Sequence, residues 1–310
     1  MKTIGDAGGI SAAARLLAAG DIVGLPTETV YGLGADALNP LACARIFEAK
    51  GRPLSDPLIV HVPDIAWAHR LAEFSPLAES LAAAFWPGPL TLVLPRRDIV
   101  PDIVTSGQST VAIRWSAHPV FQKVIDAFGR PIAAPSANRF GRISPTSADD
   151  VIAELGEAVP LVVDGGRCEH GIESAIILVS GDTLRILRHG PITREALAAF
   201  GTIDEAADPE IHSPGAFKSH YAPLTPLEIV RGKPTPRADC GLLAWSHDGT
   251  GFEIVEHLSR TGDLREAAAN LFGAMRRLDA AGLKSIIAEA LPDHGLGAAI
   301  MERLEKAAAR

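Results

Sequence analysis

Leu25-Pro-Thr-Glu-Thr-Val-Tyr-Gly-Leu-Gly34, followed by Lys50-Gly-Arg52 and Pro57-Leu-Ile-Val-His61, is the stretch on which the reading of this chain turns. The apolar run Asp21 to Pro26 reads as a strand that ends among hydroxyls, and a second run, Leu58 to Val62, carries His61. Between them Asn39-Pro40 supplies an N-cap and a first-turn proline, and Gly51 supplies a left-handed stop. The spacing therefore predicts a helix over 40–50 with Lys50 at its end and Arg52 just beyond. Strand, helix and strand in succession, with hydroxyls, a histidine and two cations around glycine-permitted turns, suit an α/β pocket for a phosphorylated ligand.

The pattern continues outward. Ser11 to Gly20 reads as a helix with Ser11 as N-cap. Apolar, β-branched runs recur at 90–94, 111–115, 132–134, 161–163, 174–179 and 184–187, and helical patterns lie at 64–73, 76–86, 118–128, 147–155 and 193–200. Only Gly181-Asp182 and its neighbours separate the runs at 174–179 and 184–187, so the sheet contains a hairpin and is mixed rather than purely parallel. Residues 201–226, proline-bearing and aperiodic, read as a linker between a domain over 1–200 and a small open α/β domain over 227–310. The small domain lacks a GxGxxG turn, so its class alone implies no dinucleotide.

At 310 residues the chain is long for one core, and 47% apolar with 21% charged residues is ordinary for a globular protein. A net charge of −8 argues against a broad basic face for nucleic acid. The three widely spaced cysteines, Cys43, Cys168 and Cys240, fit inert thiols and neither a metal site nor a disulfide framework. No apolar run approaches the roughly 20 residues of a membrane helix, and a reducing cytoplasm is the expected setting.

Chemistry is readable at several points. Lys50 and Arg52 can converge on phosphate oxygens, or form a solvated helix end. Thr27 and Thr29 offer hydroxyls to a polar ligand or stabilise a turn. His61 is a ligand contact or a satisfied strand histidine. Thr110 and Arg114 share a strand face, and an arginine within Val111-Ala-Ile-Arg-Trp115 needs a counter-ion, either a ligand carboxylate or a structural Asp or Glu. Pro135-Ser-Ala-Asn138 sets Ser136 and Asn138 at a strand-to-loop junction, where α/β proteins commonly bind ligands.

With Ser213-Pro-Gly-Ala-Phe-Lys-Ser-His-Tyr-Ala-Pro223, these motifs resemble the Sua5/YrdC family, the L-threonylcarbamoyladenylate synthases of tRNA modification, over roughly residues 10 to 225. The resemblance implies a twisted mixed sheet with a central cavity, and a Rossmann-like small domain of the Sua5 type. It places Thr29, His61, Arg114, Ala134 and Ser174 on L-threonine. Arg52, Asp56, Thr110, Ser136, Ser144 and Arg188 fall on the nucleotide, Lys50 and Asn138 complete the Lys-x-Arg and Ser-x-Asn motifs, and Tyr221 closes over the nucleotide. Position 56 is Asp where the family often has Asn, and the linker reads Pro-Gly-Ala-Phe where Pro-Gly-Met is common.

The implied reaction joins L-threonine, bicarbonate or CO2, and ATP into threonylcarbamoyl-AMP and pyrophosphate. Mg2+ arrives with ATP, Lys50 and Arg52 act as the catalytic cations, no protein-held metal is expected, and the product serves a downstream tRNA threonylcarbamoyl-transferase complex. The linker would act as a lid with Gly215 as hinge. Two other readings of the same residues are a non-catalytic RNA-binding module, weakened by the net acidity, and a carbamoyl-transfer maturation enzyme using carbamoyl phosphate, disfavoured because acylphosphatase-like and zinc-finger segments are absent.

Overall fold

The computed structural model describes residues 2–204 and 217–309, so Gly215 and the start of the linker motif lie outside the described residues. Its strands are β1 (Lys2–Ile4), β2 (Val23–Leu25), β3 (Gly32–Asp36), β4 (Ile59–His61), β5 (Leu90–Pro95), β6 (Thr110–Arg114), β7 (Ile132–Ala133), β8 (Leu161–Asp164), β9 (Ala175–Ser180), β10 (Thr183–Arg188), β11 (Thr202–Asp204), β12 (Leu227–Val230), β13 (Cys240–Ala244), β14 (Ile254–His257) and β15 (Ser285–Glu289). The first eleven form one sheet in the order β1-β8-β2-β3-β7-β4-β6-β5-β9-β10-β11. Parallel pairs such as β4 with β6 and β5 with β9 alternate with antiparallel ones such as β2 with β3 and β9 with β10. The sheet is mixed, as the hairpin at Gly181 implies.

Local chemistry accounts for the element ends. Asn39 accepts hydrogen bonds from the amides of Leu41 and Ala42, Pro40 opens the helix Pro40–Lys50, and Gly51 closes it at φ +61°. The first helix departs from expectation. It spans Ala7–Ala18 with Asp6, not Ser11, as N-cap, because the Asp6 carboxylate takes the Gly9 amide while the Ser11 hydroxyl turns back to the Ala7 carbonyl. β3 and β14 were not anticipated. β3 is rich in glycine, and β14 carries Glu256 and His257, so neither shows the apolar run of a buried strand. β11 pairs with β10, so the large sheet runs past residue 200 into the segment read as linker.

The second sheet, β12-β15-β13-β14, is parallel throughout, with the helices Leu264–Asp279 and Leu296–Ala308 packed against it. Its core does not stop at the domain limit, for Val30, Ile143, Ile172 and Tyr221 belong to the same apolar cluster as Phe272, Met275 and Leu304. At one point of this interface a β-carbon on Gly171, itself at φ +67°, would lie 2.5 Å from Ala269 Cα and 2.6 Å from the carbonyl oxygens of Ala268 and Ala269. At the end of β15, Glu289 accepts the amides of Trp245, Ser246 and His247, which follow β13.

Candidate active site

The register of the large sheet brings the polar residues together. His61 and Arg114 stand opposite each other at the C-terminal ends of parallel β4 and β6, and Thr91, near the start of β5, is the next partner of Arg114. A bulge between Ile186 and Arg188 sets Arg188 opposite Ile176, close to Ser174. These groups border a recess of about 500 Å³ of empty space, mouth included. Thr27, Thr29, His61, Arg114 and Ala134 line one part; Arg52, Ser136, Glu173, Ser174, Arg188, His220 and Tyr221 line the rest.

Around Arg114 the protein forms a closed network. Nη2 donates to Glu28 Oε1 at 2.7 Å, Nη1 to Thr29 Oγ1 at 2.8 Å, and Nε to the Gly88 carbonyl at 3.3 Å. Of the two counter-ions left open by the sequence, the structure supplies the acidic residue. Two of the five guanidinium N–H groups remain outside these bonds. Thr29 also meets the Thr27 hydroxyl at 2.8 Å, and Ser116 donates to the other Glu28 oxygen. Burial alone would raise the Glu28 carboxyl, but the Arg114 charge and the Ser116 and Arg114 hydrogen bonds outweigh it and hold the pKa at about 2. Burial, then the Arg114 charge, pushes His61 down to about 3, so its ring is neutral. His61 Nδ1 is buried without a partner.

The opposite part is cationic. Arg52 and Lys50 are buried, which overturns the solvated helix end. Arg52 Nη2 pairs with Asp56 Oδ2 at 2.9 Å, while Nε and Nη2 reach the carbonyls of Asp56 and Pro57. Lys50 Nζ donates to the carbonyls of Ser136 and Asn138 and does not line the recess. Burial, then the Arg52 charge, lowers its pKa well below the usual range for an amine. Arg188 donates to the carbonyl and the hydroxyl of Ser174, and that hydroxyl also meets Thr91 at 2.8 Å.

Tyr221 closes this side at φ +61°, a backbone conformation uncommon for a tyrosine. Its ring stacks on Phe272 and meets His220, while its hydroxyl and His220 Nδ1 are buried without partners. Unsatisfied buried polar atoms cost free energy, and these converge on one recess, as expected where a ligand completes the bonding.

Other expected residues lie outside the lining. Thr110 starts β6 opposite Pro95, four residues or about 13 Å along the strand from Arg114. Asn138 braces its own loop through the carbonyls of Arg139 and Arg142, and the Ser144 hydroxyl is given to Glu173. Sequence reasoning missed Glu28 and Glu173 as partners and Arg303 altogether. The need of Arg114 for a counter-ion was a usable signal for Glu28. Arg303 occupies a position between Ile300 and Leu304 that belongs to the apolar stripe of its helix, which is a signal too.

Comparison with known proteins agrees with this architecture. Residues 15–190 match the family model described as telomere recombination, Sua5–YciO–YrdC, and residues 192–309 match that of the threonylcarbamoyl-AMP synthase C-terminal domain. A Pyrococcus abyssi protein named threonylcarbamoyl-AMP synthase is 39% identical, covering 96% of this chain and 93% of its own. A Bacillus subtilis protein of the same name is 41% identical, over 96% and 92%. The crystal structure of P. abyssi Sua5 complexed with L-threonine superposes with a TM-score of 0.87 at 38% identity, covering 96% of this chain and 94% of that one. E. coli YciO, at 21% identity and a TM-score of 0.52 over 58% of this chain and 88% of that one, shares the fold alone. Both halves of the chain are thus accounted for, and it belongs to the Sua5/YrdC family in its two-domain form.

Proposed function

We propose that this chain is an L-threonylcarbamoyladenylate synthase, a nucleotidyltransferase that makes threonylcarbamoyl-AMP and pyrophosphate from L-threonine, bicarbonate or CO2, and ATP. The observation that carries the reading is the convergence of Arg52, Arg114 and Arg188 on one recess with partnerless atoms of His61, His220 and Tyr221. The names of the full-length relatives and the threonine bound by the P. abyssi neighbour point the same way. The product would serve a transferase that modifies tRNA to N6-threonylcarbamoyladenosine.

In this reading the free N–H groups of Arg114 take the threonine carboxylate, beside Thr29 and Ala134. His61, held neutral, offers Nδ1 to the threonine hydroxyl, and its low pKa makes it a hydrogen-bonding group rather than a strong base. Ser174 has its hydroxyl engaged by Thr91 and Arg188, and so shapes the wall between the two subsites. The threonine amine attacks CO2 and releases a proton to water. A carbamate oxygen then bonds to the α-phosphorus, the bond to the β-phosphate oxygen breaks, and pyrophosphate leaves with that electron pair. Arg52 and Arg188 stabilise the charge that develops there, Lys50 fixes the Ser136–Asn138 loop, and Tyr221 covers the nucleotide. Among the described residues no cluster of three His, Cys, Asp or Glu could hold a metal, and Asp56 and Glu173 already pair with arginines. In this reading Mg2+ enters as the counter-ion of the substrate ATP.

No described helix is long and apolar enough to cross a membrane. The test measures pyrophosphate release that depends on both threonine and bicarbonate, with mass spectrometry of the product from labelled bicarbonate. A pure RNA-binding module would be silent, and an enzyme using carbamoyl phosphate would respond to that donor instead.

A further inference from the structure

The C-terminal helix Leu296–Ala308 belongs to the small domain, yet one turn of it grips the site-forming segments of the large one. Arg303 is 0% exposed. Its Nε meets Glu173 Oε2 at 3.1 Å and its Nη1 donates to the His189 carbonyl at 2.6 Å. Glu302 accepts the His189 amide at 2.9 Å, and the Lys306 carbonyl accepts the His220 amide at 3.2 Å. The Arg303 guanidinium also lies 5.7 Å from the centroid of the Tyr221 ring. Glu173, held by Arg303, takes the Ser144 hydroxyl on its other oxygen. Thus Glu173 beside Ser174, His189 beside Arg188, and His220 beside Tyr221 are all fastened to this single turn.

A buried ion pair is a poor device for stability, because well-packed apolar residues of similar volume do as well or better. A guanidinium, however, reaches a carboxylate from Nε and a carbonyl from Nη1 in the fixed directions of its plane, a fork that neither the single nitrogen of a lysine nor an apolar side chain reproduces. Resting on the functional reading above, we propose that Arg303 is a positioning residue for the nucleotide end of the recess. Through Glu173, His189 and the Tyr221 ring it makes the seating of the small domain a condition for the placement of Arg188 and Tyr221. The threonine end, built on Glu28, Thr29 and Arg114 within the large domain, does not depend on it.

The experiment compares full-length wild type, Arg303→Met and Arg303→Lys. Calorimetry measures the binding of L-threonine and of a non-hydrolysable ATP analogue separately, and amide exchange is followed without ligands. Arg303→Met should weaken the nucleotide about tenfold or more, raise the KM for ATP, and leave threonine affinity within about twofold, since small misplacements remote from the chemistry cost rates on the order of a hundredfold. Exchange should rise at 172–175, 187–190 and 218–222 and stay unchanged in β13 and β15. Arg303→Lys, which keeps the charge but not the planar fork, should recover part of the nucleotide affinity; it also serves as the folded comparison if Arg303→Met does not fold. Equal losses for threonine and nucleotide, or unchanged exchange in those three segments, would overturn the proposal. The exchange measurement decides it even if the wild type makes no adenylate, an outcome that would instead sink the functional reading.

Discussion

The two ends of the recess solve opposite problems. Around Arg114 the protein brings its own counter-ion, Glu28, and a closed set of hydroxyls, so this end is formed within the large domain before any ligand arrives. Around Arg52 and Arg188 the cations outweigh the acids: Asp56 is taken by Arg52, Glu173 is held from behind by Arg303, and the aromatic cover comes from the far side of the linker. A small zwitterion suits the first arrangement and a polyphosphate the second. The contrast teaches that substrate size is matched by how many parts of the chain must assemble to hold it.

The largest expected effect breaks the cationic end. Arg52→Ala should lower adenylate formation about 30- to 1000-fold, the loss of roughly 2 to 4 kcal/mol of transition-state stabilisation. An exposed arginine would leave stability untouched, but Arg52 is buried against Asp56, and removing one partner of a buried pair costs about 3 to 5 kcal/mol. Thermal unfolding and steady-state rates should fall together, and Arg52→Ala paired with Asp56→Ala should regain stability without activity. A variant that keeps full activity would remove Arg52 from the site.

The threonine end is sharpened by substrate choice. L-valine, nearly isosteric with threonine, should be used at least about a hundredfold less efficiently, because a site that bonds a hydroxyl leaves His61 Nδ1 unpaired without it. In His61→Phe that ratio of kcat/KM values should collapse toward unity; an unchanged ratio would move the discrimination elsewhere.

The pH dependence separates the same end into its parts. Lowered pKa values in the folded state mean that the unfolded chain binds more protons, so stability falls as pH falls. For His61 the loss runs from about 6.5 down to its folded value of about 3, and for Glu28 from about 4.5 down to about 2. His61→Phe should therefore flatten the denaturation profile between pH 6.5 and 4.5, and Glu28→Gln only below that, read by urea midpoints across pH. The smallest effect is expected from Tyr221→Phe, which removes an unpartnered buried hydroxyl. Its unliganded stability should rise by up to about 1 kcal/mol while activity drops several-fold. A gain in both would mean that the hydroxyl meets no substrate.

Much of this was legible because it depended on local chemistry. The cap at Asn39, the stop at Gly51, the hairpin at Gly181 and the clustering of Thr29, His61, Arg114 and Ser174 all follow from short-range rules or the family motif. What stayed hidden depended on contacts distant in sequence. That Arg52 is buried, that Glu28 answers Arg114 across the sheet, and that Arg303 reaches Glu173 from another domain are facts of packing, and periodicity is silent on them. Thr110 shows what a shared strand face leaves open: it lies about 13 Å along β6 from Arg114 and outside the lining of the recess.

Gly171 turns the interface between the domains into a gauge with a tolerance of less than one methyl group. Any residue with a β-carbon there would act as a wedge against the backbone of Ala268 and Ala269. A single alanine at 171 would thus force the helix Leu264–Asp279 outward, and with it the body that carries the C-terminal helix, without substituting any residue that lines the recess. The molecule contains its own lever for holding the halves apart, operable by three hydrogen atoms and a carbon.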